Sequence, residues 1–121
     1  MTQAAEALLY LHTPDEAAGR QCVVHRDFKP ANILLDERLH AMLSDTGFAK
    51  ASKAGDATRA TTLAGDVWTR GFADPIILEG EYSVVTDGYA VGATLLVVLT
   101  NRSAQVYASR IAPPRLRPAA V

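Results

Sequence analysis

The sequence predicts a small α+β domain, and three observations carry that prediction. Residues 3–12, QAAEALLYLH, place Ala5, Leu8, Leu9 and Leu11 at helical spacings among good helix formers. NILLD and HAMLSD read as the arms of a β-hairpin turned by DERL, with CVV as a short strand before them. The run YAVGATLLVVLT, from Tyr89 to Thr100, predicts an element buried on all sides. Periodicity leaves that run open to helix or strand, and it is shorter than the ~20 residues of a membrane span.

Between these elements the chain is punctuated. TPDEAAGR, with Pro14 and Gly19, ends the first helix. Residues 50–70 turn to Ala, Ser, Thr, Gly and Lys without apolar periodicity, which predicts a long mobile loop. GFADPIIL predicts a Pro-marked turn with one helical turn, and Pro113, Pro114 and Pro118 mark an irregular end. The domain is expected over residues 1–102, followed by an irregular basic tail over 103–121.

Composition sets the outer bounds. With 121 residues the chain has room for one small domain, and 49% hydrophobic against 21% charged residues is a globular balance. A formal net charge of −1 argues against a nucleic-acid partner. After Asp87 no acidic residue follows, while Arg102, Arg110, Arg115 and Arg117 gather in the tail. Cys22 is the single cysteine, so no internal disulfide forms and a reducing, cytoplasmic compartment fits best. The simplest reading of Cys22 is a small buried hydrophobe. The first residues lack a basic, apolar, small-residue order, so no signal peptide is expected.

One stretch departs from a plain hairpin arm. HRDFKPANILLD, residues 25–36, crowds His, Arg, Asp, Lys and Asn against an apolar strand. His25, Arg26, Asp27 and Asn32 match H-R-D, four residues, then Asn, and Asp45 follows Asn32 at the distance a hairpin needs to bring its ends together. With LSDTGFAK and GFADPIILEGEYSVVTDGYAVGATLLVVLTNR downstream, residues 4–102 resemble the large lobe of eukaryotic protein kinases. The wording is most similar to plant receptor-like and interleukin-receptor-associated Ser/Thr kinases.

That resemblance implies a mainly α partial large lobe with a catalytic loop, a metal-loop hairpin, an activation segment and a buried central helix. It implies ATP and Mg²⁺ as cofactors and a protein hydroxyl as acceptor. Asp27 would accept or orient the hydroxyl proton, Lys29 would approach the γ-phosphate, and Asn32 and Asp45 would hold Mg²⁺ through oxygens. His25 would tie the loop to the buried helix that begins at Asp87. Arg26 would face a phosphorylated residue of the activation loop, with Thr58, Thr61 and Thr62 as acceptors. Thr69 fits the threonine of the substrate-binding loop that marks Ser/Thr kinases.

The pattern also departs from the family. No Gly-rich phosphate loop, strand Lys or partner Glu precedes residue 25, and the last helices of the lobe are absent. Thr46 stands where the family carries a Phe that packs beside His25, Ile76 where it carries Glu, and Trp68 where it usually carries Gly. The apolar face left by the absent helices is expected to meet solvent or a partner. A Ser/Thr protein kinase segment is the reading these residues favour. The alternatives are a pseudokinase-like binding module and a truncated product without a stable fold. Small-molecule phosphotransferases share the Asp…Asn pair, but carry Gly at the place of Arg26 and lack the Asp-Pro motif.

Overall fold

A computed structural model of the chain describes residues 1–46, 50–51, 60–61 and 69–111. Three helices and three two-stranded antiparallel pairs make up the described fold. In chain order these are α1 (Thr2–His12), β1 (Val23–Val24), β2 (Ile33–Leu35), β3 (Ala41–Leu43), β4 (Lys50–Ala51), β5 (Ala60–Thr61), β6 (Glu81–Tyr82), α2 (Val84–Thr100) and α3 (Ala104–Ile111). Single 3₁₀ turns cover Pro30–Asn32 and Pro75–Glu79.

The N-terminal helix forms where expected, but it buries a different stripe. Ala4 and Leu8 are buried, while Ala5 and Leu9 are exposed and Leu11 is half-buried. Ala4 and Leu8 lie one turn apart, so they meet Phe28 and Ala90 in one core cluster, with Met1, Ile33, Leu43 and Val91 at its edge. A second cluster joins Val24, Ile77 and Tyr82.

β2 and β3 pair antiparallel with Ile33 opposite Leu43, Leu34 opposite Met42 and Leu35 opposite Ala41. Asp36 holds the connection. Its Oδ1 accepts the backbone N–H groups of Arg38 and His40, each at 2.8 Å, and Leu39 takes a positive φ of 62° there. These bonds from two backbone N–H groups and the His40 ring lower the Asp36 carboxyl below its ordinary range, the His40 backbone bond being the largest cause.

The apolar run is a helix, and it is not buried on all sides. α2 begins at Val84, earlier than Asp87, because Ser83 and Thr86 form a capping box: Ser83 N–H donates to Thr86 Oγ1 and Val85 N–H to Ser83 Oγ. It ends at Asn101 in the left-handed region. Only Thr86, Asp87, Ala90 and Thr94 are buried along it, whereas Val85, Leu95, Leu96, Val98 and Leu99 are exposed. Apolar composition pointed to complete burial; the described neighbours cover one stripe.

The expected irregular tail starts with a helix. α3 packs on α2, with Ala104 buried and Tyr107 Oη 2.6 Å from Thr100 Oγ1. Ala, Gln and Arg in AQVYASRI favour helix, and no proline interrupts before residue 113. Residues 112–121 lie outside the described residues, as does most of the predicted mobile loop. Cys22 is buried as expected, and that burial, with the Asp87 charge, raises its thiol pKa. Among the described residues no helix is long and apolar enough to cross a membrane.

Candidate active site

The site is assembled around one carboxylate in α2. Asp87 is almost fully buried, and its Oδ2 accepts the His25 backbone N–H at 2.8 Å while Oδ1 accepts that of Arg26 at 2.9 Å. His12, at the end of α1, brings Nε2 to 2.7 Å from Oδ2. A buried carboxylate is tolerated only when its lone pairs are satisfied, and three donors satisfy this one. Because both backbone groups point at Asp87, Arg26 is held at a φ of 74°, a conformation rare for a non-glycine residue.

His25 joins the loop to two elements, through different atoms. Its backbone reaches α2, as the resemblance implied for the residue, but its ring turns elsewhere. Nε2 lies 3.1 Å from the Ser44 carbonyl, and Nδ1 accepts the Asp27 N–H at 3.2 Å. The ring meets Phe28 edge-on, with centroids 6.5 Å apart. Phe28 is fully buried, whereas Thr46 is exposed.

Asp27 sits in the turn this creates and is mostly buried. Thr69 Oγ1 donates to Asp27 Oδ1 at 2.6 Å and accepts from Lys29 Nζ at 2.7 Å. Lys29 Nζ also pairs with Asp27 Oδ2 at 2.8 Å. A hydroxyl has one proton to give and lone pairs to receive with, so Thr69 bridges the two charged groups without conflict.

Asn32 completes the cluster. Its Nδ2 donates to the Asp27 carbonyl at 2.7 Å and to Asp27 Oδ2 at 3.1 Å. Both partners are acceptors, so the amide orientation is fixed and Oδ1 is turned to the opposite side. The hairpin then delivers Asp45. Ser44 N–H and Oγ donate to the Asn32 carbonyl at 2.8 and 3.0 Å, extending the β2–β3 register by one pair. Asp45 follows at a φ of 58°, exposed beside that junction. Asn32 and Asp45 offer oxygen donors alone, the chemistry Mg²⁺ accepts. Among the described residues no three His, Cys, Asp or Glu side chains gather as a metal cluster.

Arg26 stacks its guanidinium over the Tyr82 ring, 3.9 Å from the centroid. Tyr82 pairs with Ala60 across β5–β6, and Thr61 pairs with Glu81. The backbone of one predicted acceptor, Thr61, therefore runs beside the residue that Arg26 covers. Thr58, Thr62 and Trp68 lie outside the described residues.

Sequence reasoning singled out Asp27, Lys29, Asn32, Asp45, Thr69 and Asp87; hydrogen bonds join Asp27, Lys29, Asn32 and Thr69, Asp87 holds the backbone just before Asp27, and Asp45 lies exposed after Ser44. It missed His12, Phe28, Ser44 and Tyr82. A signal existed for Phe28, an aromatic between Asp27 and Lys29 that has no reason to face water. For Ser44 the hairpin spacing gave its place opposite Asn32, but nothing marked its carbonyl as the partner of the His25 ring.

Comparison with known proteins shows the family. The protein kinase domain family matches residues 1–110. Over 100 residues the chain is 42% identical to the EPD1-interacting receptor-like cytoplasmic serine/threonine-protein kinase 5D of Gossypium barbadense, covering 82% of this chain and 20% of that protein. It is 41% identical over 102 residues to the probable serine/threonine-protein kinase PBL2 of Arabidopsis thaliana, covering 84% of this chain and 22% of that protein. With PBL18 of the same plant, identity is 43% over 100 residues, 82% of this chain and 24% of the relative. The chain thus spans about a fifth of the length of the curated relatives it matches. By sequence match, motif order and geometry, the chain belongs to the protein kinase domain family.

Proposed function

We propose that this chain carries the catalytic segment of a Ser/Thr protein kinase, which transfers a phosphoryl group from ATP to a protein hydroxyl. The observation that supports it best is the Thr69 hydroxyl bridging Asp27 and Lys29. Phosphoryl transfer needs positioning and neutralisation of charge more than covalent help. Asp27, oriented by Thr69 and Asn32, takes the proton of the incoming hydroxyl. Lys29 spends two of its three N–H bonds on Thr69 and Asp27, which leaves one for a phosphate oxygen. Asn32 and Asp45 would hold Mg²⁺ through side-chain oxygens, and the ion would supply neutralisation of charge on the phosphates. Arg26 receives a phosphate on the activation segment, with Thr58, Thr61 and Thr62 as the candidate acceptors; the backbone pairing of Thr61 with Glu81, next to the Tyr82 ring under the Arg26 guanidinium, supports this reading. His25 and Asp87 are structural.

The relatives named cytoplasmic receptor-like kinases support a cytoplasmic setting, free or as the cytosolic part of a longer receptor-like protein. The exposed apolar side of α2 packs against further protein, in the same polypeptide or in a partner. The test is Asp27→Asn in the full-length product carrying this chain. Loss of an orienting base lowers phosphoryl transfer by about 10²–10⁴-fold; activity within tenfold of the parent refutes the assignment.

A further inference from the structure

The turn that carries Thr69 holds a cation the reaction as proposed does not use. Phe72 N–H donates to the Thr69 carbonyl at 3.2 Å, closing a four-residue turn with Arg70 and Gly71 at its centre. Gly71 has a φ of 94°, the positive value the third position of a type II turn requires. It is buried, and a Cβ there would meet Ala104 Cβ at 2.8 Å. The turn is therefore clamped at both ends, by the Thr69 hydroxyl on Asp27 and by Gly71 against α3. Arg70 is the exposed residue between the clamps. Among the described residues no carboxylate lies within ion-pairing distance of it. The nearby Asp74 is occupied capping the next turn, its Oδ1 accepting the Ile76 N–H at 2.9 Å.

We propose that Arg70 reads a carboxylate on the protein substrate, selecting acceptors with an Asp or Glu within two residues of the phosphorylated Ser or Thr. This deepens the phosphoryl-transfer reading and rests on it. A substrate hydroxyl that approaches Asp27 passes beside Thr69, whose Cα is about 3.8 Å from that of Arg70. A flanking carboxylate then comes within reach of a planar guanidinium suited to bidentate pairing. Rigid presentation matters here, since an anchored turn reduces the ordering cost of the contact.

The test uses the full-length product and Ser peptides with Ala at the two flanking positions on each side, substituted singly by Glu or by Lys. Two readouts are taken: kcat/KM for phosphorylation, and peptide binding by fluorescence anisotropy without nucleotide. Expected is a preference of about fivefold for Glu at one flanking position, abolished in Arg70→Gln and turned toward Lys in Arg70→Glu. Ratios within each variant are compared, so a general loss of activity cancels. Parent protein that ranks Glu and Lys peptides alike overturns the inference, as does an Arg70→Glu variant that keeps the parental ranking. Anisotropy showing the Arg70-dependent preference while no peptide is phosphorylated supports the role of Arg70 and overturns the kinase reading instead.

Discussion

His12 and Asp87 stand 75 residues apart in sequence and 2.7 Å apart in space, ring nitrogen to carboxylate. Through that contact α1 shares one anchor with the loop that carries Asp27 and with α2. Asp87→Asn halves the acceptor oxygens and turns an amide N–H₂ toward backbone donors. It is expected to lower stability by about 1.5–3 kcal/mol. Urea unfolding of the two proteins checks it, and an unchanged midpoint would show that the three bonds carry no net stability.

Thr69→Val keeps size and removes the hydroxyl that joins Asp27 to Lys29. Thr69→Ser keeps the hydroxyl. Valine should reduce phosphoryl transfer by on the order of 10²-fold and serine by far less, with similar melting temperatures, because positioning is the main catalytic contribution. Steady-state kinetics on the two variants separates hydroxyl chemistry from packing.

Phe28→Ala empties a fully buried site against His25, Ala4, Leu8 and Ala90. A loss of about 3–5 kcal/mol is expected. Leucine at this position should recover most of it, since volume is largely conserved. Thermal or denaturant unfolding of the three proteins gives the order.

The hairpin turn should respond to acid. The Asp36 carboxyl titrates lower in the folded chain than its ordinary 3.8, chiefly through the His40 backbone bond. A lowered folded value means that the stabilisation is present above the unfolded pKa and is lost as pH falls through the folded one. Amide exchange at Arg38 and His40 should therefore lose protection below the ordinary carboxylate range. Asp36→Asn should remove that pH dependence.

These 121 residues on their own should not turn over ATP. They include no Gly-rich loop and no strand lysine to place the phosphates, and placement is most of what a kinase supplies. Calorimetric titration with Mg²⁺-ATP and a parallel transfer assay on a generic Ser/Thr peptide test this. Micromolar binding with turnover would refute it.

The polar constellation was legible because its motifs resemble those of protein kinases, and for its hairpin part the spacing agrees with local geometry. A hairpin of this length must return Ser44 to Asn32, and the register does so. The stripe buried on α1 was less legible: Ala4 and Ala5 are chemically identical, and only the position of Phe28 and Ala90 decides which is covered. Arg26 on Tyr82 could not be read from spacing, since 56 residues separate the two and no repeat links them. The exposure of α2 misled for a related reason, because apolar composition reports what a helix prefers and not which neighbours accompany it.

The β2–β3 hairpin also works as a ruler. Three residue pairs and the Asp36 turn set how far Asp45 stands from Asn32. Removing one residue between Glu37 and Leu39 would leave every motif letter intact while the strand slipped by one, sending alternate side chains to the opposite face. The gauge length of a surface turn thus decides whether the chain delivers Asp45 next to Asn32 at all.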